Sequence, residues 1–374
     1  MEKKRNINMD VIRCLALFFV VCVHSFAYTG FYSTKVVGLK LFGLCTLRDF
    51  FMICVPLFMI LSGYLMKNKK IEKAFYFKII RVIAIYVFAS ICCVLFRSIY
   101  LGESYSLKSS ILSILDFSGA QYAWYVEMYL GLFLIIPFLN LVYGNLENKK
   151  KKQALLVILF IITVLPNILN IFQFNIKWFL NPSISRKYFK IFPSWWSEIY
   201  PITYYFVGCY LREYELNIKL KTEIMLLIVF VLLLGLFQYY RSYNSTFEWI
   251  SYASYNGFPL VTAVMFFDIF KRINFSWLSN GCAKVVVHIS KVSYGAYLVS
   301  FIFDKYFYQY FDKMSGNYVD KIWYIPMLVI AIFTCSIILS SMIQLIYDYS
   351  LKFIKIFIRR YKKWQKKRLV LKKG

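Results

Sequence analysis

MDVIRCLALFFVVCVHSFAY, residues 9–28, is the stretch whose reading decides the fold. Its apolar run has the ~20 residues that an α-helix needs to cross a bilayer. Yet it carries Asp10, Arg13 and His24. An ionisable side chain inside a membrane helix costs a few kcal/mol on insertion scales, so each one marks a candidate site with a partner to be found. At about 100° per residue, Asp10 to Arg13 is a step of about 300°, and Arg13 to His24 about 20° beyond three turns. All three share one face. Arg13 and His24 are separated by roughly 16 Å along the axis, at about 1.5 Å per residue. Asp10 and Arg13, as i,i+3 neighbours, are placed to pair. Snorkelling to the headgroups would account for Arg13 alone, but not for the face it shares with His24.

The rest of the chain repeats the apolar pattern. Of 374 residues, 60% are hydrophobic, 21% aromatic and 17% charged, well away from the roughly 25% charged residues of soluble domains. Ten spans are expected, at about 9–28, 44–65, 76–99, 124–145, 153–172, 198–212, 222–240, 254–271, 292–311 and 322–347. The sixth is short and holds Pro201 and Gly208. The expected fold is all-α: a polytopic membrane protein of about ten transmembrane helices. Residues 1–350 form the membrane-embedded domain and 351–374 a basic tail.

The formal net charge is +27, and the positives cluster between the apolar blocks: Lys3 to Arg5, Lys67 to Lys70, Lys149 to Lys152, and the tail from Lys352 to Lys373. Clusters in alternate loops are what the positive-inside rule expects, and they put both termini in the cytoplasm. The exception is 173–197, with Lys177, Arg186, Lys187 and Lys190 on the expected outer side beside Trp178, Pro182, Trp195 and Trp196. It reads as an interfacial or re-entrant segment. No basic patch belongs to a soluble domain, which excludes a nucleic-acid partner; the tail is suited to anionic lipid. The first span resembles a secretory signal, but Asp10, Arg13 and nine further spans argue against cleavage. Nine scattered cysteines and two histidines offer no metal-ligand spacing.

Other polar positions supplement the first span. VPLFMILSGYL (55–65) brings Ser62, Gly63 and Tyr64 to the cytoplasmic end of the second span. There Gly63 permits close approach of a neighbour or a ligand; by physics alone, helix packing and an interfacial tyrosine explain the motif. Lys78 and Arg81, i,i+3 at the start of the third span, add positive charge at the same mouth. Glu127, in the fourth span, would either orient a histidine or an acceptor hydroxyl, or pair with an outer-loop lysine. His288 sits in a basic loop, where solvation explains it.

Four segments in order resemble the acyltransferase 3 family of integral membrane acyltransferases, in its stand-alone form. They are Arg13 and His24, with ten residues between them in the first span; VPLFMILSGYL at 55–65; QYAWYVEMYLGLFLIIPFLN at 121–140; and ISKVSYGAYLVS at 289–300. The resemblance implies transfer of an acyl group, usually acetyl from acetyl-CoA, to a hydroxyl of a cell-envelope polysaccharide or its lipid-linked precursor, at the plasma membrane. It implies Arg13 on the coenzyme phosphate and His24 as catalytic base. Asp10, too far along the axis to touch His24, would hold Arg13, and Glu127 would be the carboxylate serving His24 if the fourth span packs beside the first. Ser62, Gly63, Tyr64, Lys78 and Arg81 complete the expected coenzyme site, and Trp124, Tyr125 and Tyr294 the substrate contacts. No resident cofactor and no metal are expected. Two departures stand out. Ser300 replaces a histidine of many members, and Val55-Pro56 replaces the Gly-Val-Asp of members fused to an extracytoplasmic hydrolase-like domain. The rival reading is a transporter or flippase of a lipid-linked glycan, which commonly shows repeated halves; no repeat is visible.

Overall fold

Apolar blocks of this length fold into helices because lipid offers no partner to a free backbone group. Each of the ten expected stretches contains a helix in the computed structural model. It describes residues 5–170, 190–249 and 254–371, with Ile176 and Leu180 besides, and side chains as far as Phe353. The basic loop 173–197 therefore lies mostly outside the described residues. In chain order the helices are α1 (Ile7–Tyr28), α2 (Gly38–Phe51), α3 (Cys54–Met66), α4 (Lys73–Tyr76), α5 (Ile79–Ile99), α6 (Leu107–Leu115) and α7 (Trp124–Gly144). They continue with α8 (Lys149–Thr163), α9 (Leu165–Leu169), α10 (Tyr200–Glu213), α11 (Leu220–Ser242), α12 (Pro259–Arg272), α13 (Asn280–Lys313), α14 (Tyr318–Lys321) and α15 (Ile325–Leu371). Among the described residues the sole strand-like pairing is one bridge between Val36 and Tyr243.

Local chemistry sets the boundaries. Asn6 caps α1 by accepting from the Asn8 N–H, and Asn148 and Ser279 do the same for α8 and α13. The second expected span divides at Met52–Ile53 because Pro56 has no N–H to give the carbonyl four residues back. The fifth divides at Val164, ahead of Pro166.

Among the described residues, seven stretches are long and apolar enough to cross a membrane: 7–28, 38–66, 73–99, 124–144, 220–242, 280–313 and 318–353. The remaining expected spans are α8, α10 and α12, with 15, 14 and 14 residues. Fourteen residues rise about 21 Å, less than the ~30 Å hydrocarbon core. For α10 the shortfall is tolerable, because Thr203 through Leu211 are all buried by protein. Its crossing with α3 depends on two glycines: a Cβ on Gly63 would strike the Tyr205 carbonyl, and one on Gly208 the Ile60 carbonyl. In contrast, α11 turns Met225, Leu226, Ile228, Val229, Leu232, Leu233 and Leu236 outward, a surface suited to lipid.

Ion pairs sort the helix ends into two poles. At one, Glu213 holds Lys67 and, at 2.7 Å, Lys152, while Arg272 pairs with Glu223 and with Asp268 at 2.9 Å. There too the Asn8 amide donates to the carbonyls of Phe270, Lys271 and Ile273 at 2.9, 3.1 and 2.7 Å, seating the start of α1 on the end of α12. Arg81 donates to Gln344 at 3.0 Å, and Lys291 pairs with Asp348 at 3.6 Å. The start of α1 and the exit of α15 thus share a pole, the one the loop charges assign to the cytoplasm. α15 continues unbroken past the expected boundary at 350. The opposite pole holds the ends of α1 and α13 and the buried Arg241–Glu248 pair at 2.9 Å.

Near the centre of this bundle, α1 packs against α2, α3, α12, α13 and α15. Ile12, Ala16 and Leu17 are buried in the main core with Ile53, Leu57 and Ile60 of the second stretch and Leu298 and Val299 of α13. α1 and α13 both begin at the inner pole, so they run parallel.

Candidate active site

The inner end of α1 is a wired charge cluster. Asp10 is 3% exposed, and it accepts from Arg5 Nε at 2.7 Å, Arg5 Nη2 at 2.8 Å and Ser290 Oγ at 2.6 Å. Arg13 Nη1 lies 3.7 Å from Asp10 and donates to Ser290 Oγ at 2.8 Å. Asp10 is thus shared: Arg5 supplies two of its three direct hydrogen bonds, and Ser290 of α13, which supplies the third, links it to Arg13. A carboxylate placed between two guanidinium groups and a hydroxyl fixes all three by charge-assisted hydrogen bonds.

Arg13 faces a cavity of about 920 Å³. Its polar lining is Arg5, Arg13, Ser62, Lys78, Arg81, Ser290, Lys291 and Ser293, and Tyr125, Tyr129, Tyr294, Tyr297 and Tyr347 supply an aromatic wall. Five cations on one chamber suit a polyanion. Its upper wall is Val20, Val55 and Tyr297, and the same three residues line a second, small chamber of about 10 Å³ with Val23, His24, Cys54, Trp124 and Tyr255. The two chambers are therefore neighbours along the face of α1 that joins Arg13 to His24.

In the small chamber, His24 Nδ1 stands 3.4 Å from Asp304 Oδ2. Asp304, on α13, is fully buried. Its Oδ2 accepts from the Tyr122 hydroxyl at 2.7 Å, and that hydroxyl lies 3.1 Å from the Tyr28 hydroxyl. The Tyr122 ring covers the imidazole at 3.8 Å between centroids. Burial, with the Asp304 charge adding to it, pushes the Tyr122 hydroxyl well above the ordinary tyrosine range, so it remains a donor. His24 Nδ1 and Asp304 Oδ1 have no hydrogen-bond partner among the described residues. An imidazole facing a buried carboxylate at 3.4 Å, with the carboxylate held from its other side by a tyrosine hydroxyl, has the arrangement that a general base and its orienting carboxylate require.

Residues 6–341 match the family of acyltransferase domains. This chain belongs to the acyltransferase 3 family. Comparison with curated proteins and with solved structures returns no match. A membrane acyltransferase is thus the class of protein to which these chambers belong, and the transporter reading loses its ground.

Of the residues expected at the acyltransferase's site, the structure gathers Arg13, Ser62, Lys78, Arg81, Tyr125 and Tyr294 around the large chamber, and His24 and Trp124 around the small one. Four others line neither chamber. Glu127 is exposed and lines neither chamber, and the carboxylate that stands 3.4 Å from His24 is that of Asp304. Gly63 lines neither chamber, since its missing side chain is filled by the α10 backbone. Tyr64 turns to Phe267, with ring centroids 5.5 Å apart, and its carbonyl accepts from Arg212 at 2.6 Å. Asp10 sits behind the cavity wall and acts on it through Arg5, Ser290 and Arg13. His288 is not solvated alone, but bonds to Ser341 at 2.8 Å.

Asp304, Tyr122, Arg5, Ser290 and Lys291 were not found by sequence reasoning. Asp304 did carry a signal. It is an acid inside the apolar block 292–311, subject to the insertion cost that singled out Asp10 and His24. Arg5 and Lys291 carried none, because flanking cations are ordinary at a membrane boundary.

Proposed function

We propose that this membrane acyltransferase takes an acyl group, acetyl above all, from acyl-CoA on the cytoplasmic side of the plasma membrane and transfers it to a hydroxyl of a cell-envelope polysaccharide or its lipid-linked precursor. The observation that carries the reading is the pair of adjoining chambers on one face of α1, cation-lined at Arg13 and histidine-bearing at His24.

In this reading the coenzyme phosphates lie among Arg13, Arg5, Lys78, Arg81 and Lys291. Charge-assisted hydrogen bonds to phosphate are short and about twice as strong as neutral ones, and Asp10 with Ser290 keeps the Arg13 guanidinium from collapsing onto lipid headgroups. The coenzyme's flexible arm then points along α1 past Val20 and carries the thioester toward His24. The acceptor hydroxyl approaches from the opposite pole, beside Trp124 and Tyr255, whose stacked rings lie 5.5 Å apart.

His24 takes the hydroxyl proton as the oxygen attacks the thioester carbonyl. Asp304 faces the imidazolium and offsets its charge, with Tyr122 holding the carboxylate. The tetrahedral intermediate collapses, the C–S bond breaks, and the proton passes from His24 to the departing thiolate. A positioned base contributes about 10²–10⁴-fold to such a step. The test is radiolabelled acetyl-CoA given to sealed membranes with and without the protein. Label is expected in envelope glycan only where the wild-type protein is present. Absence of label, or equal label with His24→Ala, would overturn the reading.

A further inference from the structure

Unequal chamber sizes point to a second property. We infer that the small chamber selects the acyl group by length, accepting acetyl and excluding longer chains, with Val23 and Val55 as residues that set the limit. The inference rests on the proposed transfer from a coenzyme thioester, and it concerns which thioesters react rather than whether one does.

The large chamber, at about 920 Å³, sets no limit on length. The reacting carbon, however, must come within reach of an oxygen whose proton His24 removes, a heavy-atom contact of about 2.6–3.2 Å. His24 does not line the large chamber. It lines the small one, whose roughly 10 Å³ is room for about one water-sized group. A methyl group beside the carbonyl approaches that limit, and each further methylene must displace wall.

The wall is poorly placed to move. Val20 and Val55 are each 3% exposed, Cys54 is 1% exposed, and all three belong to the main core. Close-packed cores transmit a local expansion rather than absorbing it. Tyr297 is held by its hydroxyl, which donates to the Tyr122 carbonyl, so pushing it outward also shifts the tyrosine that supports Asp304. Val20, Val55 and Tyr297 form the partition between the chambers. Val55 is therefore both gatepost and wall, whereas Val23 lines the small chamber and not the large one.

Membranes from cells producing wild type, Val23→Ala or Val55→Ala, supplied separately with acetyl-, propionyl- and butyryl-CoA, test this by mass spectrometry of the envelope glycans. Wild type is expected to favour acetyl over butyryl by about tenfold or more, as one or two methylenes in a tight site are discriminated. Each alanine variant is expected to narrow that ratio about fivefold through a rise in butyryl transfer. Butyryl transfer by wild type at the acetyl rate overturns the inference and leaves the proposed function standing. So does acetyl transfer retained in either variant with no rise in butyryl. No acyl transfer by wild type from any donor overturns the proposed function instead. The wild-type series discriminates between these outcomes even where neither variant folds.

Discussion

At its inner end α1 borders a roomy chamber walled by five cations and several tyrosines; at its outer end it borders a cramped one lined by His24, whose imidazole faces the buried Asp304 carboxylate at 3.4 Å. The inner chamber has the chemistry of a holding site. Its charges are numerous, and loss of one cation leaves others. The outer chamber has the chemistry of a reacting site, in which a single proton acceptor has a single carboxylate and each contact is unique. Redundancy at one end and singularity at the other imply that damage should read out differently at the two ends.

The comparison is most easily broken at the singular end. His24→Ala is expected to lower transfer by about 10³-fold or more while leaving coenzyme binding to detergent-solubilised protein within about twofold, because the base acts only in the transition state. Parallel loss of binding, measured by calorimetry with CoA, would make His24 a structural residue. Asp304→Asn comes next. It keeps shape but loses the charge facing the imidazole, and kcat is expected to fall about 10²-fold with KM for the donor little changed. A rise in KM with constant kcat would remove Asp304 from the reacting site.

At the redundant end the signature reverses. Arg13→Ala is expected to raise KM for the donor by about tenfold, the value of one charge-assisted hydrogen bond, with a smaller fall in kcat. The loss should shrink at high salt as screening weakens the remaining cations for wild type too. Glu127→Gln is the smallest effect, within about twofold in both parameters, since an exposed carboxylate on α7 reaches neither chamber. A 10²-fold loss there would return Glu127 to the reaction and weaken the case for Asp304.

Much of this was legible in the sequence, for reasons that differ by residue. Helix positions followed from block length, and the common face of Arg13 and His24 followed from helical periodicity, since both lie on one element. The link from His24 to Asp304 spans 280 residues of chain, and no local rule brings α1 beside α13. A role for Glu127 at His24 requires α7 to pack beside α1, and because α7 is apolar on nearly every side, periodicity does not say which face looks inward. Gly63 carried two readings that sequence does not separate, ligand approach and helix approach; the α10 backbone at Tyr205 decides for the second. Division of the span at 44–65 was present in Pro56, whose missing N–H frees a carbonyl at Met52.

Ser290 and Asp304 both lie on α13, fourteen residues apart, so at about 100° per residue they fall within about 40° of one face. One grips Asp10 and Arg13, and the other faces His24. Because α1 and α13 are parallel, the two helices keep common register, like two edges of a ruler clamped at both marks. A residue inserted between 13 and 24, or between 290 and 304, would rotate one mark by about 100° relative to its counterpart. Such an insertion would leave both helices long and apolar enough to span the membrane while parting His24 from Asp304. The protein's chemistry is in this sense a measured length, fixed by counting residues along two rails.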